Sequence, residues 1–185
     1  MSNLAFKEVS YDDILDLPEN IVGEILNGQL ETHPRPAPKH ALAATSMAGE
    51  LVLPFQKGRG GSGGWWILVE PECHVDTEVF VPDLAGWRKL KMPKLPETAW
   101  FEITPDWVCE IISPSSVRRD RVTKMEIYAR LGISYFWIID PIAQTLEAYQ
   151  LQNKHWVLLK SYADAEEIAI APFAEYSFSL ANLWE

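Results

Sequence analysis

Two acids stand where acids are least comfortable. Glu110 lies in the run "DWVCEIIS" among aliphatic and aromatic residues, and Asp83 follows Val79, Phe80, Val81 and Pro82 in a second strand-like run. Burying a carboxylate in such a strand is costly unless a partner compensates it. Side chains alternate along an extended segment, so Asp106, Val108, Glu110 and Ile112 share one face and Trp107, Cys109 and Ile111 the other. If the two strands are neighbours the carboxylates converge, and paired like charges need a cation or a shared proton. Magnesium suits a site of few carboxylates completed by water. The competing reading is structural: Asp83 caps a turn after Pro82 and Glu110 pairs with an arginine, as isolated strand acids usually do.

Downstream, Arg118, Arg119, Arg121 and Lys124 form a basic cluster beside Ser113, Pro114, Ser115 and Ser116. Charge runs are ordinarily solvated faces, and Lys124 by itself reads as an exposed helix lysine paired with Asp120 four residues earlier. Adjacency to Glu110 makes contact with a phosphate backbone the functional alternative. The formal net charge of −10 opposes diffuse attraction to nucleic acid, so any such contact must be local.

These groups need elements to position them. The chain has 185 residues, 48% hydrophobic and 23% charged, enough for a buried core and read as one domain over 1–185. "SYDDILDLPEN" opens with an N-cap-like Ser10 and acidic residues in its first turn. "IVGEILNGQLETH" reads as a hairpin turning at Asn27-Gly28. "PKHALAATSMAGELVLPFQ" has helical spacing and ends in the glycine-rich "KGRGGSGG". "WWILVEPECHV" and "VFVPDLAGWRK" are strand candidates, and the proline-rich "KMPKLPETAWFEITP" is an irregular excursion. After the strand "DWVCEIIS", a helix over "PSSVRRDRVTKMEIYARLG" closes at Gly132, and "SYFWIID", "TLEAYQLQ" and "HWVLLKSYA" complete the strands. The order predicts a mixed α/β fold.

Cys73 and Cys109 lack metal-ligand spacing and read as buried thiols in a reducing compartment. The amino-terminal segment has no leader pattern, and the apolar runs are too short for a membrane helix, so the expected setting is cytoplasmic with no membrane partner. Trp65, Trp66, Trp137 and Trp156 sit in strand patterns and read as core or interface rather than base-stacking platforms. "WWILV" as an edge strand covered by a second copy suggests a homodimer.

The ordered series "VPD", "WVCEIISPSS" and "RRDRVTKMEIYARLGISYFWIIDP", with the hairpin "GEILNGQLETHPRPAPKH", resembles the Uma-two family of restriction-endonuclease-like proteins in the PD-(D/E)XK nuclease superfamily. The resemblance runs from about Tyr11 to Leu151 and implies an α+β fold with a central mixed sheet flanked by helices, the active site lying where the sheet splays. It implies that Asp83 and Glu110 are the family's two acids and hold Mg²⁺ or Mn²⁺, and that Lys124 is its lysine. It also places Glu24 and His40 in the same pocket, Glu24 as a further metal ligand and His40 as a phosphate contact or proton carrier. The superfamily lysine belongs two residues after the second acid, where this chain has Ile112. Asp120, Lys124 and Tyr128, spaced four apart, would let the helix supply the cation instead, an arrangement the family also shows.

The implied activity is metal-assisted hydrolysis of phosphodiester bonds, DNA being the expected substrate, with Arg118, Arg119 and Arg121 binding its backbone. The alternative is a nuclease-fold protein without catalysis that binds nucleic acid or another protein, which the acidic total and Ile112 would suit.

Overall fold

The computed structural model describes residues 9–34 and 36–185. Arg35 and residues 1–8, part of the segment read for a leader, lie outside the described residues. No described helix is long and apolar enough to cross a membrane.

A short helix α1 (Tyr11–Leu15) precedes the hairpin β1 (Ile21–Leu26) and β2 (Gln29–Pro34). Asn27 and Gly28 take φ of 51° and 74°, the double left-handed turn that matches the twist of two-residue hairpins. Helix α2 (Pro38–Leu51) starts at a proline and continues through a π-helical turn, Val52–Gln56. Then come β3 (Trp65–Val69), β4 (Cys73–Val75), β5 (Glu78–Phe80), β6 (Leu84–Arg88) and β7 (Trp107–Ile111). A π-helical segment Arg119–Lys124 runs into α3 (Met125–Arg130), followed by β8 (Tyr135–Asp140), β9 (Thr145–Gln152) and β10 (His155–Ala163). A small pair, β11 (Glu167–Ile168) with β12 (Phe178–Ser179), and a 3-10 turn Leu180–Leu183 close the chain.

The main sheet has six strands in the order β10-β9-β8-β7-β6-β3, parallel only between β7 and β8. A parallel pair needs a crossover, and the helix between β7 and β8 is that crossover. A second, antiparallel sheet has the order β2-β1-β5-β4.

The two long strand candidates are each broken and shared between the sheets. "WWILVEPECHV" divides into β3 of the large sheet and β4 of the small one, and "VFVPDLAGWRK" into β5 of the small and β6 of the large. Pro71 and Pro82 lack the N–H that would continue a ladder, and Glu70 takes a left-handed φ of 46°. The two breaks lie side by side, with Glu70 N donating to Asp83 O at 3.0 Å. This is where the sheets part.

Both faces of the large sheet are covered. On one, Trp107, Cys109, Ile111, Trp137 and Ile139 pack with Ala43, Met47 and Leu51 of α2 and Phe55. On the other, Val108, Ile112, Phe136 and Ile138 pack with Ile127 and Tyr128 of α3 and with Leu26 and Phe80 of the small sheet. The predicted alternation along β7 holds, which places Glu110 on the α3 side.

Candidate active site

Strand β6 lies antiparallel to β7 with Leu84 opposite Cys109, so Asp83 and Glu110 meet across the pair on one face. Asp83 Oδ2 accepts from the backbone N–H of Ile111 at 2.6 Å, and Asp83 Oδ1 lies 3.1 Å from His40 Nε2. The turn-capping alternative for Asp83 therefore gives way to a cross-strand bond. Glu110, 2% exposed, accepts on Oε1 from Lys124 Nζ at 3.1 Å and from the Tyr128 hydroxyl. Its partner is a lysine, not an arginine.

The crossover helix delivers these donors. Asp120, Lys124 and Tyr128 are all buried on the site side, as their spacing predicts. The wider π-helical winding from Arg119 to Lys124 preserves that alignment and brings Lys124 inward. Lys124 Nζ has three neighbours: Glu24 Oε1 at 2.8 Å, Glu110 Oε1 at 3.1 Å and the carbonyl of Val81 at 3.1 Å. An ammonium has three protons, so all three are engaged.

Glu24 comes from β1 of the small sheet and is fully buried. Its Oε1 also accepts from Val81 N at 2.8 Å, while Oε2 lies 3.6 Å from His33 Nε2 and 3.8 Å from Arg119 Nε. Burial pushes Glu24 up, but Lys124, His33 and the Val81 amide outweigh it and hold the carboxyl down to about 2. Glu110 moves the other way. Burial drives it well above the usual carboxylate range, and Asp120, Asp83 and Glu24 add to the rise against the pull of Lys124. Burial and the Glu110 charge raise Tyr128 as well, so its phenol stays a donor. Burial opposes the charge on Lys124, yet Glu110, Glu24 and Asp120 keep it an ammonium. Burial lowers His40, and Asp83, Glu70 and Asp120 reverse that to a net rise.

A cleft of about 480 Å³ opens over this cluster. Asp83, Glu110, Lys124, His40 and Arg119 line it, together with Glu31 and His33 of β2 and the Ser113–Ser116 turn. Of the sequence-derived candidates, Asp83, Glu110, Lys124 and His40 come to one wall, and Glu24 stands behind Lys124. The three arginines diverge. Arg119 lines the cleft and bonds Asp120 at 3.2 Å, Arg121 is held by both oxygens of Glu147 at 2.7 and 3.1 Å, and Arg118 is exposed outside the lining.

Three participants escaped the sequence: His33, Glu70 and the donor role of Tyr128. Tyr128 was within reach of the four-residue spacing. Glu70 and His33 had no local signal, because only the parting of the sheets brings them to the cleft.

A family model described as "Uma2: Putative restriction endonuclease" matches residues 11–182. The chain belongs to the Uma2 family. No curated protein matches it. A solved structure of Anabaena variabilis, described as a putative nuclease belonging to DUF820, is similar over 95% of this chain and 97% of that one, with a TM-score of 0.74 at 22% identity. That likeness is one of fold: a mixed central sheet flanked by few helices, the nuclease-like arrangement.

Restriction-endonuclease-like proteins generally use divalent metals, and the donor set of this Uma2 chain can be weighed against that use. Glu110 receives both of its hydrogen bonds on Oε1, so Oε2 accepts none among the described residues. Asp83 Oδ1 faces the cleft beside His40. Two carboxylate oxygens fit a hard cation that keeps several waters. Among the described residues no group of three or more His, Cys, Asp or Glu is gathered as a metal-ligand set.

Proposed function

We propose that this Uma2 chain is a metal-dependent nuclease that hydrolyses phosphodiester bonds in DNA. The observation that carries the reading is the adjacency of Asp83 and Glu110 on one face of β6 and β7, open to the cleft and backed by the buried Lys124. Mg²⁺ or Mn²⁺ held by these two carboxylates would polarise the scissile phosphate and lower the pKa of a bound water.

The chain's own residues prepare that site. The Ile111 amide fixes Asp83 through Oδ2, and Lys124 with Tyr128 fixes Glu110 through Oε1, so Glu110 would offer Oε2 and Asp83 would offer Oδ1, which His40 Nε2 approaches to 3.1 Å. Lys124, with every donor engaged, positions Glu110 and offsets its charge rather than touching substrate. Glu24 is the counter-anchor that holds Lys124 through Oε1, which also accepts from the Val81 amide, and its Oε2 is the oxygen through which it would serve as a further ligand. His40, on the cleft wall beside Asp83, would meet a phosphate oxygen, whereas Arg119 lines the same wall but is bonded to Asp120.

A second reading rests on the absence of a third gathered ligand among the described residues: a Uma2 fold that binds nucleic acid without cutting it. Calorimetric titration of Mn²⁺ into the wild type and Glu110→Ala, followed by cleavage assays on DNA, separates the two. The nuclease reading expects binding that Glu110→Ala abolishes, and cleavage that Asp83→Asn lowers by about 100-fold or more, the scale of losing one stabiliser of developing charge. Cleavage untouched by both substitutions would refute the assignment, and absence of both binding and cleavage would leave the non-catalytic reading.

A further inference from the structure

The cleft poses a difficulty for any polyanionic substrate, because its cations are already committed. Lys124 spends all three donors inside the protein, and Arg119 is bonded to Asp120 and faces Glu24. Glu31, Glu70, Asp83 and Glu110 line the same space. In a chain of net charge −10, attraction for phosphates must come from a place where cations are concentrated and free.

Such a place exists at the other end of β6. Lys57 and Arg59 of the glycine-rich loop 57–64 and Arg88, Lys89, Lys91 and Lys94 from the end of β6 onward are six of the chain's 16 Lys and Arg residues. The antiparallel pairing of Trp65 with Arg88 brings the loop against the strand end, and Lys89 closes it, donating from N to Gly64 O at 2.8 Å and from Nζ to Gln56 O at 3.0 Å. Tryptophans orient two of the cations: Arg88 Cζ lies 4.6 Å from the Trp65 ring centroid and Lys89 Nζ 4.5 Å from that of Trp66. The acids beside them have partners of their own. Asp106 takes the Arg88 amide and lies 3.5 Å from Lys91 Nζ, which also donates to Thr104 O at 2.6 Å, so Lys91 is committed. Glu175 takes the Ser62 amide, and Glu102, which lines a small pocket with Lys94, takes Trp100 Nε1 at 3.2 Å. Lys57, Arg59 and Lys94 are exposed, and their side chains make no hydrogen bond or ion pair among the described residues.

We propose that loop 57–64 and the segment from Arg88 to Lys94 form a binding surface for the phosphate backbone of a nucleic-acid strand, separate from the catalytic cleft. The choice of nucleic acid as partner rests on the nuclease reading. Asp83 and Arg88 stand at opposite ends of β6, about 17 Å apart at the rise of an extended strand. That is about five phosphate steps along one strand of a duplex. The cleft then supplies chemistry and the far end of the sheet supplies affinity, which explains how an acidic protein could hold a polyanion at all.

The test measures fluorescence anisotropy of a short labelled DNA oligonucleotide in EDTA, over a series of salt concentrations. The triple variant Lys57→Gln, Arg59→Gln, Lys94→Gln should bind at least about tenfold more weakly at low salt. Its plot of log affinity against log salt should be shallower by about 2 to 3, the loss of three phosphate contacts. The single variants Lys57→Gln and Lys94→Gln should each show a smaller step in the same direction. Wild-type affinity and slope in all three, or a wild type that does not bind the oligonucleotide, would overturn the proposal. So would a loss confined to phosphatidylglycerol vesicles, which would make the partner a membrane. Hydrolysis of bis(4-nitrophenyl) phosphate with Mn²⁺ should be equal in wild type and triple variant. If neither hydrolyses it while the binding loss persists, the surface stands and the nuclease reading falls.

Discussion

Lys124 is the residue on which the site turns, since it ties carboxylates from two different sheets to the crossover helix. Breaking a buried charge pair by removing one partner costs about 3–5 kcal/mol, because the remaining charge is left uncompensated. Lys124→Met should therefore destabilise the protein by about that much in urea denaturation at neutral pH. Adding Glu24→Gln should recover part of the loss, since the substitution removes the carboxylate that stays ionised down to about 2. A double variant as unstable as the sum of the singles would mean that the two residues do not act as a pair. Tyr128→Phe deletes one donor to Glu110 and should cost about 1–3 kcal/mol by the same measurement. Asp83 and Glu110 were legible in the sequence because an acid flanked by strand hydrophobics demands a partner. Glu24 was placed only by the family resemblance, since an acid in a hairpin is ordinarily solvated and its burial depends on the second sheet closing over it.

At the level of elements, the helix between β7 and β8 was readable as a helix, but its π-helical stretch was not. Spacing reports which residues share a side, and that survives the wider winding; it does not report the winding. The broken strands show a different limit. Hydrophobic runs mark extended chain, whereas Pro71 and Pro82 mark only that the ladder stops, not that the chain changes sheets. The basic run Arg118–Lys124 shows a third: helix rotation sends Arg119 to the cleft and Arg121 to Glu147 of β9. That second tie carries a pH dependence. The hydrogen bond from Arg121 lowers Glu147 below its ordinary 4.5, with Tyr149 assisting and partial burial opposing. A carboxylate with a lowered folded value contributes stability that is present above the unfolded value and lost as pH falls through the folded one. Glu147→Gln should thus melt below the wild type at neutral pH, with the two converging as the pH drops below 4.5. A gap that persists or widens in acid would assign the loss to packing instead.

Across the whole molecule, the small sheet is held to the large one by a few charged contacts and one shared core. Lys124 grips Glu24 of β1, and Arg130 at the end of α3 reaches both Glu78, at 2.7 Å, and Asn27, at 3.0 Å. Leu26 and Phe80 of the small sheet share their core with Tyr128 and Phe136, while the core on the α2 side of β7 and β8 contains no residue of β1, β4 or β5. The two cores should therefore open separately. Local opening exposes backbone amides to exchange in cooperative units whose stability follows their own contacts. Hydrogen exchange in Lys124→Met should accelerate first in β1, β2 and β5, with β8 and β9 retaining protection until global unfolding. Equal acceleration in all five strands would mean that the sheets unfold as one body and that Lys124 stabilises the entire fold. Selective acceleration would identify the small sheet as the movable wall of the cleft, with the Lys124 clamp as the contact that keeps it closed.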